Sequence, residues 1–254
     1  MATICIGIAL HGGFHAACGT FFVFSDYMKP AVRIAALMEV PVRFVWTHDA
    51  FRVGEDGPTH EPVEQEAQIR LMEKLHNHSG KPSTMVLRPA DVYETTVSWQ
   101  MAMDNKSTPT ALILSRQNVD DLPGNNYQHS QRILKGGYLV TEQPNAEVVL
   151  VATGSEVSTL VAGAKLLAEE GIHCNIASIT SEAIFRQQSK EYQASVLPEG
   201  LPRFGLTAGL PVNLEGLIPH GTGAIWGLES FGFSAPYKVL DEKLGFTAEN
   251  VRTQ

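Results

Sequence analysis

The chain has 254 residues, 44% of them hydrophobic, which allows one large domain or two of ordinary size with proper cores. Its net charge of −8 and its scattered Lys and Arg residues argue against nucleic acid or an anionic membrane as a partner. No apolar run reaches the roughly 18 residues of a membrane span. The first residues lack the charged start of a signal peptide. Cys5, Cys18 and Cys174 have no metal-ligand spacing and cannot all pair, so reduced thiols and a cytoplasmic location are expected.

Residues 4–10 are apolar almost from Met1, like a helix entered midway. Residues 19–24 read as a strand, 29–38 as a helix, and 42–46 as a short β-branched and aromatic strand. A loop follows over 47–60, because Gly54, Gly57 and Pro58 forbid a long helix there. Residues 62–72 are predicted helical, 85–88 strand, 92–103 helix and 110–115 strand. Strands alternating with helices imply parallel βαβ units. The polar stretch 118–131, with Pro123-Gly124 and Asn125-Asn126, is the natural linker, placed at 118–135. A second α/β unit then opens with a strand over 147–152. Ser155 is a candidate N-cap for a helix reaching Glu170 and closed by Gly171, with a further strand over 173–179. Thr153-Gly154-Ser155 reads either as a plain cap or as an anion seat on free backbone amides. The expectation is two consecutive α/β domains with mostly parallel sheets, over 1–117 and 136–254.

The loop at 47–60 concentrates chemistry. It carries His48, Asp49, Arg52, Glu55, Asp56 and His60 at the end of a strand, where open α/β sheets place their ligands. His48 and Arg116 each end a predicted parallel strand, so both reach the same sheet edge. An Arg fork and a His donor together suit a phosphate, although each alone reads equally as a surface residue. A His of near-neutral pKa, such as His60, suits proton transfer. Phe21, Phe24 and Tyr27 lie close in sequence and could stack on a flat ring or simply pack a core. His76 and His78, at i and i+2 in a loop, make no convincing metal site. Asp49, Glu55 and Glu64 read as structural or solvated, and Glu182, Glu229 and His220 as isolated.

The stretch THDAFRVGEDGPTHEPVEQ closely resembles the signature of transketolases. GIALHGG at 7–13, TFFVFSDYM at 20–28, PTALILSRQ at 109–117 and WGLESFGFSAP at 226–236 resemble the same family, in the same order. The resemblance implies two three-layer α/β/α domains. The first is a pyrimidine-binding domain lacking its opening βα portion, and the second is the transketolase C-terminal domain. It implies transfer of a two-carbon ketol unit between sugar phosphates with thiamine diphosphate as cofactor. By the same resemblance, Phe21, Phe24 and Tyr27 hold the cofactor's aminopyrimidine ring. His48 and Arg116 contact the sugar phosphate, Asp56 bonds a substrate hydroxyl, and His60 assists proton transfer. The family's Arg-Glu motif would fall just before Met1. The diphosphate-binding domain, with its magnesium or calcium site, would lie further upstream. The chain would then hold only part of the cofactor site and no metal ligands. It is expected to be inactive alone, and to act as a homodimer or with a chain carrying the diphosphate-binding domain. The alternatives are a truncated or dimer-forming remnant without activity, or a subunit of a deoxyxylulose-phosphate synthase or an oxo-acid dehydrogenase β type.

Overall fold

A computed structural model describes residues 1–254. The first unit holds β1 (Ala17–Phe21), β2 (Arg43–Thr47), β3 (Met85–Leu87) and β4 (Thr110–Ile113), all parallel, in the order β1-β2-β4-β3. Its helices are α1 (Ala2–His11), α2 (Lys29–Leu37), α3 (Gln65–Lys74) and α4 (Val92–Asp104). Residues 118–126 form no helix or strand. They lead into α5 (Tyr127–Ser130) and a 3-10 turn at Gln131–Lys135, so the expected linker is partly helical.

The second unit has β5 (Tyr138–Thr141), β6 (Val148–Ala152), β7 (Cys174–Ser178), β8 (Arg203–Leu206) and β9 (Gly223–Trp226). Their order is β5-β7-β6-β8-β9, with only β5 antiparallel. Its helices are α6 (Glu156–Glu169), α7 (Glu182–Arg186), α8 (Lys190–Val196), α9 (Val212–Glu215), α10 (Tyr237–Leu244) and α11 (Ala248–Thr253). No helix is long and apolar enough to cross a membrane.

Strand alternation assigns each side chain to a layer. Phe44 and Trp46 of β2 join the core under α1 and α2, while Val45 faces the opposite core. In β6, Val149 and Val151 pack against α7 to α9, and Leu150 and Ala152 against α6. The core on that last side is shared. Leu87, Val97 and Leu112 of the first unit join Leu150, Ile176 and Phe246 of the second in one apolar cluster.

Two local expectations change. The first strand ends at Phe21, and Phe22–Tyr27 form a 3-10 helix because Phe22 and Ser25, three apart, are the buried positions. Ser155 does not cap α6 with its side chain. It accepts from Arg52 Nη1 at 3.3 Å and donates to Glu156 Oε1 at 3.2 Å. The Thr153-Gly154-Ser155 turn is no anion seat either. A Cβ at Gly154 would lie 2.8 Å from the Arg88 guanidinium, so a cation already fills that space.

Arg88 is 1% exposed and sits where the two units meet. Its Nη2 donates to Asp49 Oδ2 at 2.7 Å and Glu156 Oε1 at 3.1 Å, and its Nη1 to the Thr153 carbonyl at 2.9 Å and to Glu156 Oε2. Glu66 completes the ring at 3.6 Å. Removing one partner of such a buried set leaves uncompensated charge and costs about 3–5 kcal/mol, whereas an exposed pair is worth at most about 1 kcal/mol. Arg88→Ala is therefore expected to lower the urea unfolding free energy by about 3–5 kcal/mol. Lys29→Ala, which breaks the surface pair with Asp26, should lower it by less than about 1 kcal/mol. Equal effects from the two would refute the buried seam as a determinant of stability.

Candidate functional site

Parallel strands bring their C-terminal ends to one edge. Phe21 ends β1 opposite Thr47 of β2, and β4, which leads to Arg116, is the other neighbour of β2. His48 follows at φ 62, a left-handed conformation that His tolerates better than most side chains. Its ring stacks on Phe21 with centroids 3.7 Å apart and planes 14° from parallel. Thr47 Oγ1 lies 3.0 Å from its Nδ1, which leaves Nε2 as the free ring nitrogen.

The expected aromatic group is present, and the 3-10 helix explains its order. Residues three apart eclipse on such a helix, so Phe21, Phe24 and Tyr27 form one row with centroids 6.2 and 6.1 Å apart. Phe21 is covered by His48, and Tyr27 is 84% exposed at the far end. Phe24 stands between them and lines an open cavity of about 390 Å³ with Thr20, Tyr27, Met28 and Ala31. The row is an apolar shelf of half-open rings suited to a flat heteroaromatic group. It offers no cluster of metal-ligating side chains.

His60 turns its ring edge to the same row, 5.4 Å from Phe24 and 6.2 Å from Phe21. Its Nδ1 lies 2.9 Å from Thr59 Oγ1, again leaving Nε2 free. Both histidines thus follow a threonine that fixes the ring. That signal is plain in Thr47-His48 and Thr59-His60, but the sequence reading passed over it. Asp56 and Arg116 are exposed at this edge, and both charges act on His48. Burial is the larger influence and holds the His48 pKa below the usual value. Arg116 pushes it the same way, while Asp56 and Asp49 pull it up. His48 therefore carries a neutral, fixed imidazole between a cation and a carboxylate. That arrangement can donate to, or accept from, an anionic group placed against Arg116.

Asp49, expected to be structural or solvated, is buried and paired with Arg88. Arg52, from which no role was read, is 5% exposed and donates to Asp241 Oδ1 at 2.7 Å and Thr159 Oγ1 at 3.4 Å in the second unit. Glu182, expected to be isolated, pairs with Arg186 at 2.6 Å and Lys74 at 3.8 Å. The loop between His48 and His60 is also overlaid by the second unit. A Cβ at Gly57, whose φ is 74, would meet Ser234 Cβ at 3.1 Å. Ser234 Oγ donates to the Glu55 carbonyl at 2.6 Å.

Two family models match the chain. The transketolase pyrimidine-binding domain covers residues 1–121, and the transketolase-like C-terminal domain covers 136–247. A transketolase from Halalkalibacterium halodurans is 42% identical over 247 residues, which are 96% of this chain and 36% of that protein. The structure of transketolase from Leishmania mexicana superposes with a TM-score of 0.89 at 37% identity, over 99% of this chain and 35% of that one. A split-gene transketolase, solved as an inactive β4 tetramer, shares the fold with a TM-score of 0.76 at 20% identity, over 99% of this chain and 78% of that one. The chain thus spans about a third of the length of the curated relatives it matches.

His48 is expected to titrate below an ordinary histidine. Arg116→Ala should raise its pKa by removing a nearby positive charge, and Asp56→Asn should lower it further. Proton–carbon NMR of the imidazole rings across pH 4–9 checks both signs. A His48 pKa indifferent to both variants would separate it from Arg116 and Asp56.

Proposed function

Because the chain belongs to the transketolase family, we propose that it supplies part of a thiamine-diphosphate-dependent ketol transfer between sugar phosphates. The observation that carries this reading is the convergence of His48, Asp56, His60 and Arg116 on one sheet edge beside the Phe21–Phe24–Tyr27 row. The resemblance of residues 47–65 to the family signature supports giving these residues those roles.

Each group then has a task. Phe24, with Tyr27 beside it, offers a stacking face to the aminopyrimidine ring, worth about 0.5–1.5 kcal/mol beyond the area buried. When bound, the cofactor supplies the electron sink that carbon–carbon bond cleavage requires. His60, with Nδ1 fixed by Thr59, uses Nε2 to move a proton to or from a substrate oxygen whose charge changes in the transition state. Asp56 accepts from a sugar hydroxyl beside the reacting carbonyl. Arg116 grips the terminal phosphate, and His48, kept neutral by burial and by Arg116 itself, adds a donor.

The whole relatives are about three times longer than this chain. The rest of the cofactor site, including its diphosphate and metal contacts, belongs to additional polypeptide, in the same protein or in a partner. Several large apolar side chains around α1 support such a contact: Ile4 is 66% exposed, Phe14 70% and Leu10 54%, a surface that favours cover. The split-gene transketolase named above, which shares this fold and was solved as an inactive β4 tetramer, supports this reading. Residues 1–254 alone are expected to give no ketol transfer with sugar phosphates, thiamine diphosphate and magnesium.

In the assembled enzyme, His60→Ala should lower kcat, because its contact strengthens in the transition state. Arg116→Ala should instead raise KM for phosphorylated sugars by about tenfold to a hundredfold, the loss of one charge-assisted contact of roughly 1.5–3 kcal/mol. An unphosphorylated acceptor should be nearly indifferent to Arg116→Ala. Equal penalties on both substrates would make Arg116 a structural residue.

A further inference from the structure

Glu61 follows His60, and its side chain is buried against the second unit. A Cβ at Gly232 would overlap Glu61 Oε2, so the carboxylate presses on the bare backbone of that segment. Its polar neighbours are two backbone N–H groups. One belongs to Gly54, at the far end of the site loop, and the other to Phe233. Neither completes a hydrogen bond of good geometry to Glu61. The surrounding backbone is equally close: a Cβ at Gly54 would meet the Ala235 carbonyl at 3.3 Å. Segment 231–235 therefore lies along the whole of loop 54–61. Its own aromatics do not anchor it, since Phe231 is 70% and Phe233 57% exposed. The two segments meet through Ser234 Oγ on the Glu55 carbonyl, through the Glu61 carboxylate against the Gly232–Phe233 backbone, and through Ala235, which packs on the shared apolar cluster.

We propose that Glu61 is a positioning residue that latches the loop carrying Asp56 and His60 to the Gly232–Phe233 segment, so that the second unit sets where both site side chains stand. The ketol-transfer reading enters only in treating Asp56 and His60 as site groups.

The latch has a pH dependence whose sign follows from its surroundings. Burial pushes the Glu61 carboxyl up to about 7, against the smaller pull of the Phe233 and Gly54 amides. The titratable groups of the two facing segments are Glu55, Asp56, His60 and Glu64 on one side, and Glu229, Tyr237 and Lys238 on the other; none contributes to the shift. A loop opened to water would return Glu61 to its ordinary 4.5. Between those values the latched form holds a proton that the open form has released. Latching is therefore strongest at acid pH and weakens as pH rises towards 7. Above that, the ionised carboxylate, with no cation beside it, favours the hydrated open loop.

The test is hydrogen exchange of the full chain read by mass spectrometry at pH 6 and pH 8, corrected for intrinsic exchange. Peptides from 54–61 and 229–236 should open together, and more readily at pH 8. Glu61→Gln, neutral at both pH values, should keep both segments protected and abolish the difference. Glu61→Ala should raise exchange about tenfold in both segments at pH 6 and bring them close to the native chain at pH 8, leaving β4 and α6 unchanged. The imidazole resonance of His60 should shift in Glu61→Ala and return in Glu61→Gln. The latch is overturned if Glu61→Gln retains the native pH dependence, if only one segment responds, or if Glu61→Ala and Glu61→Gln loosen the chain alike. Should Glu61→Ala fail to fold, the native chain against Glu61→Gln decides the matter. No readout involves turnover, so the latch and the ketol-transfer reading fail separately.

Discussion

Arg88 is the interaction on which the rest of this structure depends. It is contributed by the end of β3, yet its partners come from both units: Asp49 and Glu66 from the first, Glu156 and the Thr153 carbonyl from the second. Two more arginines repeat the pattern. Arg52 reaches Glu156 and Asp241, and Arg70 reaches Glu66 and Glu73 near Glu182. All three arginines belong to the first unit, and the second unit brings Glu156, Glu182 and Asp241. The seam is therefore polarised. Carboxylates outnumber the buried arginines, and desolvation pushes Glu73 up to about 7, so part of the excess negative charge is carried as bound proton. An apolar cluster shared by both units surrounds these ions and keeps water from screening them.

This seam reaches the candidate site through sequence adjacency. Asp49, held by Arg88, is the residue after His48, and Arg52, held by Asp241 and Ser155, begins the approach to Gly54. A left-handed His costs conformational energy and persists only where its surroundings over-determine it. Here the Asp49 pair on one side and the Phe21 stack on the other do so. The fixed imidazole thus depends on the seam through its neighbour Asp49.

The sequence makes the site legible and hides the seam, for a physical reason. Site residues lie at strand ends, and the alternation of strands and helices is a local pattern. Parallel order then brings those ends together, which is why His48 and Arg116 could be placed at one edge. Ion pairs such as Arg88–Glu156, 68 residues apart, leave no local trace. Arg52 and Asp49 look like solvated loop charges until their partners are seen. The ends of the elements were blurred where side-chain spacing, not composition, decides them. Residues 19–24 are as apolar as a strand throughout, but the burial of Phe22 and Ser25 at spacing three turns the second half into a 3-10 helix. That turn is what aligns Phe21, Phe24 and Tyr27.

The loop bearing the two histidines has two attachments of different kind. At its start, Asp49 and Arg52 are held by buried ion pairs to Arg88 and Asp241. At its end, Glu61 has no cation beside it and rests on backbone alone. Strain applied at the loop, by a substrate or by a covering chain, must therefore be taken up at the Glu61 end, since breaking the Arg88 end leaves several carboxylates buried without a partner. His48, next to Asp49, is the site side chain near the locked end. Asp56 and His60, near the other end, form the part that can adjust.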